Sequence, residues 1–240
     1  MPKRVMAIVS GGLDSSTMLW TILASGYDVE VITFDYGQKH KIEIGQSVKI
    51  IQQAQAFFGR IITHWIVNMP HLLGSALTGD GEIPKEEYDV ESQKITVVPN
   101  RNMVFIAIAA NYAIAGGCDE IWYAAHRNDQ AVYPDCTNGF VHKMNLALYE
   151  ATYEKPIVIA PFIDNLKTDI VSIGSKINMP FDLTWSCYDP VMLQGGPATL
   201  PGDNISESDV YEHCGVCGTC RERKMAFKLA SVEDPTRYAQ

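Results

Sequence analysis

Apolar residues along the chain switch spacing in a regular alternation. A short continuous run at 5–9 stops at Ser10-Gly11-Gly12, and from 14 to 24 the apolar positions Met18, Leu19, Ile22 and Leu23 follow helical spacing until Gly26. Short apolar runs bounded by turn residues read as strands, and i, i+3, i+4 spacing reads as helix. The same switch recurs: a strand over 28–34 and a helix over 41–58 with Ile44, Val48, Ile51 and Ala54 on one face, then a strand over 61–67. A long apolar helix over 101–115 ends at Gly116-Gly117, followed by a strand over 120–124, a helix over 138–151, a strand over 156–160 and a helix over 168–177. Strands alternating with helices argue for a parallel sheet covered on both faces. Right-handed crossovers make this a Rossmann-like, doubly wound α/β fold whose ligands sit beyond the carboxyl ends of the strands. Three polar segments occupy such positions: 10–16, 35–40 and 126–129.

Two stretches lack periodicity. Residues 74–91 are acidic and glycine-containing, and residues 189–208 are rich in Gly and Pro. Both are long for connections in a compact domain, so lids or loosely ordered segments are expected. The division this suggests is a nucleotide-binding domain over 1–183 and a small C-terminal helical, metal-binding segment over 184–240.

Composition narrows the function. With 240 residues and 47% hydrophobic content the chain can bury a sizeable core. A net charge of −9 gives no general attraction to nucleic acid or to anionic membrane. The opening MPKRVMAIVS is too short in its apolar part for a secretion signal, and the apolar stretch 103–116 is broken by Asn111 and too short for a bilayer. The expectation is a cytoplasmic protein with no nucleic-acid and no membrane partner. The six cysteines are then expected to be reduced.

The segment 10–16, SGGLDSS, lies between the first strand and the first helix. Its glycines let the backbone approach a ligand, the helix start offers free N–H groups and a positive dipole end, and Ser10, Ser15 and Ser16 add hydroxyl donors. The combination is a cradle for phosphate oxygens. It is neither a Walker A loop nor a dinucleotide fingerprint. It resembles the PP-loop of the ATP pyrophosphatase superfamily, which implies ATP as ligand, gripped by its β,γ-diphosphate and cleaved between α and β. The nucleotide-binding candidates are Val9, Ser10, Gly11, Gly12, Leu13, Asp14, Ser15, Ser16, Thr17, Met18 and Leu19.

A second signal is CGVCGTC, which places Cys214, Cys217 and Cys220 at CxxCxxC spacing, with Cys187 upstream in TWSC. Four thiolates suit a closed, tetrahedral Zn²⁺ site. An iron–sulfur cluster is the competing reading of the same spacing. Cys118 reads as a small core hydrophobe and Cys136 as a candidate reactive thiol.

Taken together, SGGLDSS, DYGQKH (35–40), VPNRN (98–102), YPDC (133–136), LKTDIV (166–171), TWSC (184–187) and CGVCGTCRERKMAF (214–227) resemble one PP-loop family, the 7-cyano-7-deazaguanine synthases, in the family's order over nearly the whole chain. The resemblance implies a ligase that converts 7-carboxy-7-deazaguanine, ammonia and ATP to the 7-cyano product, with Mg²⁺ accompanying ATP, Zn²⁺ in the C-terminal segment and a homodimeric state. It also implies a scheme in which AMP is transferred to the acid, ammonia gives the amide, and a second AMP transfer leads to the nitrile. Whether this chain ends at the nitrile or at the amide stays open from sequence. Asp14, through Mg²⁺, and the cations Arg101 and Lys167 are the catalytic candidates. Asn102, His126, Asp129 and Asp135 are candidates to read the edge of the deazapurine, and Tyr133 or Phe140 to stack on it. His40, in DYGQKH, reads either as a site residue or as part of a capped turn. A tRNA sulfur-transferase shares the loop and the clustered cysteines, but such an enzyme must hold a polyanion, which an acidic chain with no basic run opposes. A non-catalytic nucleotide-binding scaffold is the third reading.

Overall fold

A computed structural model describes residues 2–79, 81–83, 93–152, 155–193 and 211–239. Five strands form one parallel sheet: β1 (Arg4–Ile8), β2 (Asp28–Asp35), β3 (Thr63–Asn68), β4 (Glu120–Trp122) and β5 (Ile157–Ile159), in the order β3-β2-β1-β4-β5. The chain starts at the centre, steps outward through β2 and β3, and returns to the other side of β1 for β4 and β5. Connections therefore leave β1 and β4 in opposite directions, and this opens a crevice at their carboxyl ends.

The helices are α1 (Leu13–Ala24), α2 (Ile42–Phe58), α3 (Arg101–Gly116), α4 (Asn138–Thr152), α5 (Lys167–Lys176) and α6 (Gly218–Ala230). Alternation along β1 sorts its side chains to two faces. Val5, Ala7 and Val9 join a core with Leu19 and Trp20 of α1, Ile50 of α2, Ile170 of α5 and Phe227 of α6. Met6 joins a second core with Phe105 and Ile106 of α3, Met144 of α4 and Ile121 of β4. Because both faces are covered, β1 and β2 read as continuous apolar runs rather than as alternating ones. Among the described residues no helix is long and apolar enough to cross a membrane.

The doubly wound expectation holds, and element ends shift by at most two residues. Ile61 stands outside the third strand and is 96% exposed, because Gly59 closes α2 in the left-handed region and the chain is still turning there. The two expected lids are described only at their flanks. Leu77 is fully buried and its carbonyl accepts from the Lys39 amide at 2.9 Å, so the first stretch begins as packed chain. The second opens with β6 (Val191–Met192), which pairs antiparallel with β7 (Tyr211–Glu212), an element with no sequence signal. Residues 80, 84–91 and 194–208 of these stretches lie outside the described residues.

One buried arginine fastens the C-terminal segment. Arg223 of α6 has no exposed surface and donates to Thr184 Oγ1 at 2.7 Å, Ser186 Oγ at 3.2 Å, the Phe181 carbonyl at 3.1 Å and Asp234 Oδ1 at 3.2 Å. Its guanidinium also lies over the Phe227 ring at 5.0 Å. Removing one member of such a buried network leaves its partners unsatisfied. Arg223→Ala is expected to lower stability by about 3 kcal/mol, read as a lower urea midpoint; a midpoint within error of wild type contradicts the assignment.

Candidate active site

The turn after β1 is shaped by one glycine. Gly11 has φ +93°, and a Cβ there would overlap the Glu43 carbonyl and come 2.7 Å from the Ser47 amide of α2. No other residue lets the turn lie so close to α2. The Gly12 amide donates to Ser10 Oγ at 3.2 Å, and the Ser10 and Ser15 hydroxyls lie 3.2 Å apart. No side chain caps the start of α1 at Gly12, so the positive end of that helix faces the crevice bare.

Ser10, Gly12, Asp14 and Ser15 line a cavity of about 220 Å³ at the carboxyl ends of β1 and β4, with Arg101, Asn102, His126, Asp129, Tyr133 and Lys167. Asp14 sits on the first turn of α1 and Lys167 is the first residue of α5. The Lys167 ammonium lies 3.2 Å from Asp14 Oδ2 and 2.8 Å from Glu222 Oε2 of α6. Burial opposes that charge, but Asp14 and Glu222 outweigh it and hold the Lys167 pKa above the ordinary lysine value. Burial likewise opposes ionisation of Asp14, yet Lys167 and His126 hold its carboxyl below the ordinary carboxylate range. His126 follows β4, with Nε2 3.7 Å from Asp14 Oδ2 and 3.5 Å from Asp129 Oδ2. Burial raises the Asp129 pKa, with His126 pulling the other way and Glu222 adding to the rise.

The opposite wall is aromatic. Arg101, at the start of α3, donates to the Tyr36 hydroxyl at 3.4 Å, and Tyr133 and Tyr188 line the same wall. Phe34 and Phe105 stack on each other at 4.2 Å and line the cavity as well. Asp135 has a different part: its Oδ2 accepts the Asn102 amide of α3 at 2.9 Å, and it caps that helix from outside the cavity lining. Phe140 also stands behind the lining, packed against the second core. Cys136 is buried, and burial, then Asp129 and Asp135, push its thiol well above the ordinary value. That disfavours the thiolate a nucleophile needs and, with the burial of the side chain, counts against Cys136 as a reactive thiol. Cys118 is a core residue, as its surroundings in sequence suggested.

Of the eleven nucleotide-binding candidates, Val9, Ser10, Gly12, Leu13, Asp14 and Ser15 line the cavity. Gly11 lies beneath it against α2, while Ser16, Thr17, Met18 and Leu19 have no exposed surface and follow the helical turn away from it; Met18 and Leu19 belong to the core. Tyr36, Glu43, Tyr188 and Glu222 line the cavity without having been singled out. His40 lines it too, with Nε2 3.4 Å from Glu43. Tyr36 and Tyr188 had a faint signal, each next to a quoted motif residue. Glu222 lies inside the quoted string 214–227, but in RERK it reads as one charge on a solvated helix.

Cys187, Cys214, Cys217 and Cys220 converge, with their sulfurs all within 4.8 Å of one another. Cys187 and Cys217 are 3.9 Å apart, and Cys214 and Cys220 4.0 Å. Four sulfurs around one ion at about 2.3 Å stand about 3.8 Å apart at tetrahedral angles. A cluster with one thiolate on each of four irons needs a wider spread, so the geometry suits a single ion. The amides of Cys214 and Asp189 donate to Cys187 Sγ at 3.2 and 3.3 Å, and that of Cys217 to Cys214 Sγ at 3.3 Å, which stabilises sulfur as thiolate. The segment reaches the phosphate turn directly: the Trp185 amide donates to the Gly11 carbonyl at 3.0 Å.

Comparison with known proteins agrees with this arrangement. The family model described as "Queuosine biosynthesis protein QueC" matches residues 4–231. A 7-cyano-7-deazaguanine synthase of Archaeoglobus fulgidus is 42% identical over 97% of this chain and 89% of that protein. One from Pseudoalteromonas translucida is 34% identical over 99% of this chain and 100% of that protein. Among solved structures, the U34-tRNA thiolase NcsA of Methanococcus maripaludis, with its [4Fe-4S] cluster, superposes with a TM-score of 0.46 at 16% identity, covering 86% of this chain and 63% of that one. A likeness that loose says nothing about chemistry.

The depressed Asp14 carboxyl makes stability depend on pH. Its contribution is fully present above the ordinary value of 3.8 and is lost as pH falls through the lower folded-state value. The stability gap between wild type and Asp14→Asn is expected to be flat above about pH 5 and to change progressively against wild type below about pH 4. Denaturant midpoints across this range check it, and a gap that stays constant down to about pH 2 contradicts the ion-pair assignment.

Proposed function

We propose the reaction of this site from one established fact: the chain belongs to the QueC family of queuosine biosynthesis proteins. It makes 7-cyano-7-deazaguanine, the product that names its relatives. The observation that carries the chemistry is the phosphate turn facing the Asp14–Lys167–Glu222 cluster across a single cavity.

A carboxylate is a poor electrophile because it must expel oxide or hydroxide. The acid oxygen attacks the α-phosphorus of ATP, the bond from that phosphorus to the α–β bridging oxygen breaks, and diphosphate leaves as the acyl adenylate forms. Ammonia adds to the acyl carbon and expels AMP, giving the amide. The amide oxygen then takes AMP from a second ATP. A second diphosphate leaves in that transfer, and loss of AMP and of both protons from nitrogen then closes the C≡N bond. Ser10, Gly12 and Ser15 hold the outer phosphates with the start of α1, and Lys167 faces the charge that grows on departing diphosphate. Arg101 is the second fixed positive charge in the cavity lining, on the aromatic wall away from the phosphate turn. Asp14 Oδ1 is buried with no hydrogen-bond partner in a carboxylate that lines the cavity, which suits an oxygen-seeking cation. Mg²⁺ there neutralises phosphate charge. His126, Asp129, Asn102 and Tyr133 face the base, and Asp135 acts through the amide of Asn102.

We assign Zn²⁺ to the four cysteines, in a structural role. Residues 1–183 bind ATP, and residues 184–240 close the site while anchored by the ion. An acidic surface supports a small-molecule substrate over nucleic acid, and the setting is the cytoplasm, as a homodimer.

Incubation with ATP, ammonium and 7-carboxy-7-deazaguanine is expected to give the nitrile by mass spectrometry, with AMP and diphosphate. Recovery of ADP and orthophosphate sinks the scheme. Asp14→Ala is expected to reduce diphosphate release at least about a hundredfold with an unchanged circular-dichroism spectrum. Elemental analysis should find about one zinc per chain, with Cys217→Ser less stable and metal-poor. Iron in its place would overturn the metal assignment.

A further inference from the structure

The charged groups of the cavity pair off with one exception. Four carboxylates line it: Asp14, Glu43, Asp129 and Glu222. Asp14 and Glu222 hold Lys167. Asp129 faces His126 and accepts its backbone amide at 3.3 Å. Glu43 lies 3.4 Å from His40 and accepts from Gln38 Nε2 at 3.4 Å. Arg101 is the remaining cation, and among the described residues no carboxylate lies within ion-pair distance of it. Its neighbours are the phenols of Tyr36, Tyr133 and Tyr188 and the thiol of Cys136.

Against burial, the neighbouring phenols and the Cys136 thiol hold the guanidinium pKa above the ordinary arginine value, but none of them is a carboxylate, so the cation stands without a counter-charge. Its position as the first residue of α3 puts it at the positive end of a 16-residue helix. The one acid at that helix end, Asp135, is turned to the Asn102 amide. The guanidinium is nevertheless held in place. It donates to the Tyr36 hydroxyl at 3.4 Å and lies 6.0 Å from that ring's centre, and the Tyr133 hydroxyl is fixed by Thr96 Oγ1 at 2.9 Å. An oriented, anion-free guanidinium among flat rings is a receptor for a planar anion carried on a flat molecule. The phosphate cradle is built by other elements, α1 and α5, and has its own cation in Lys167.

We propose that Arg101 receives the carboxylate of the acid substrate and is the residue that selects acid for the first adenylation, with Tyr36, Tyr133 and Tyr188 holding it in position. This rests on the reading of 7-carboxy-7-deazaguanine as substrate. The acid is an anion and the amide that follows it is neutral, so one guanidinium matters unequally to the two half-reactions. Arg101 grips the acid through charge-assisted hydrogen bonds. It gives the amide oxygen only an ordinary donor, so the intermediate can turn over without an anion to hold.

The test uses the full-length protein with Mg·ATP and ammonium, and compares 7-carboxy-7-deazaguanine with its 7-carboxamide for wild type, Arg101→Met and Arg101→Lys. Arg101→Met is expected to raise KM for the acid about 10- to 100-fold and KM for the amide several-fold less, with KM for ATP little changed and Arg101→Lys partly restoring the acid. Equal losses on acid and amide, or a rise in KM for ATP matching that for the acid, would falsify the assignment and place Arg101 on the phosphates. A wild-type measurement covers the case in which the variants do not fold: calorimetry should show the acid binding more tightly than 7-deazaguanine lacking the carboxylate, and equal affinity overturns the proposal. Wild type that forms no nitrile from either compound refutes the functional reading instead, and the binding comparison still decides this one.

Discussion

A lysine ammonium held between two carboxylates, away from water, ties this molecule together at its cavity. Lys167 begins α5, Asp14 belongs to α1 and Glu222 to α6, so one charge joins three helices that are far apart in sequence. Taking an ammonium out of water is costly, and two carboxylates within 3.2 Å compensate for it. An excess of negative charge around a buried cation also suits an oxygen-seeking divalent cation. Oxygen atoms of Asp14 and Glu222 that lack protein partners fit such an ion.

The cysteine segment is more than an anchor for the C-terminus. Its chain supplies Trp185, Ser186, Tyr188, Thr219 and Glu222 to the cavity wall, and its backbone is bonded to the Gly11 carbonyl of the phosphate turn. Arg223 then locks 181–186 to α6. A metal held by the four cysteines would therefore shape the cavity as well as the segment, because the residues that close the cavity are flanked by those cysteines. The position of Tyr188 directly after the ligand Cys187 is the shortest expression of this link.

Sequence revealed those parts whose physics is local. Strand and helix alternation was legible because a doubly covered parallel sheet needs apolar runs separated by amphipathic helices, and SGGLDSS was legible because a phosphate turn must combine glycine, hydroxyls and a helix start. Asp14, Lys167, His126 and Asp129 were found through motifs, and the structure brings them within a few ångströms of one another. Glu222 was missed because a glutamate among arginines and lysines on a surface-patterned helix gives no sign that it turns inward. Assigning Met18 and Leu19 to the nucleotide extended a motif past the first turn of α1, where helical geometry sends side chains into the core. The pairing of β6 with β7 was hidden because two-residue strands carry no periodicity.

The order of these parts along the chain has a consequence for synthesis. The phosphate turn is synthesised before Lys167, and Lys167 before its second counter-charge at Glu222. A nascent or prematurely terminated polypeptide thus carries the nucleotide cradle without the wall that completes it. The wall of the cavity is complete only when the helix that carries Glu222 has docked.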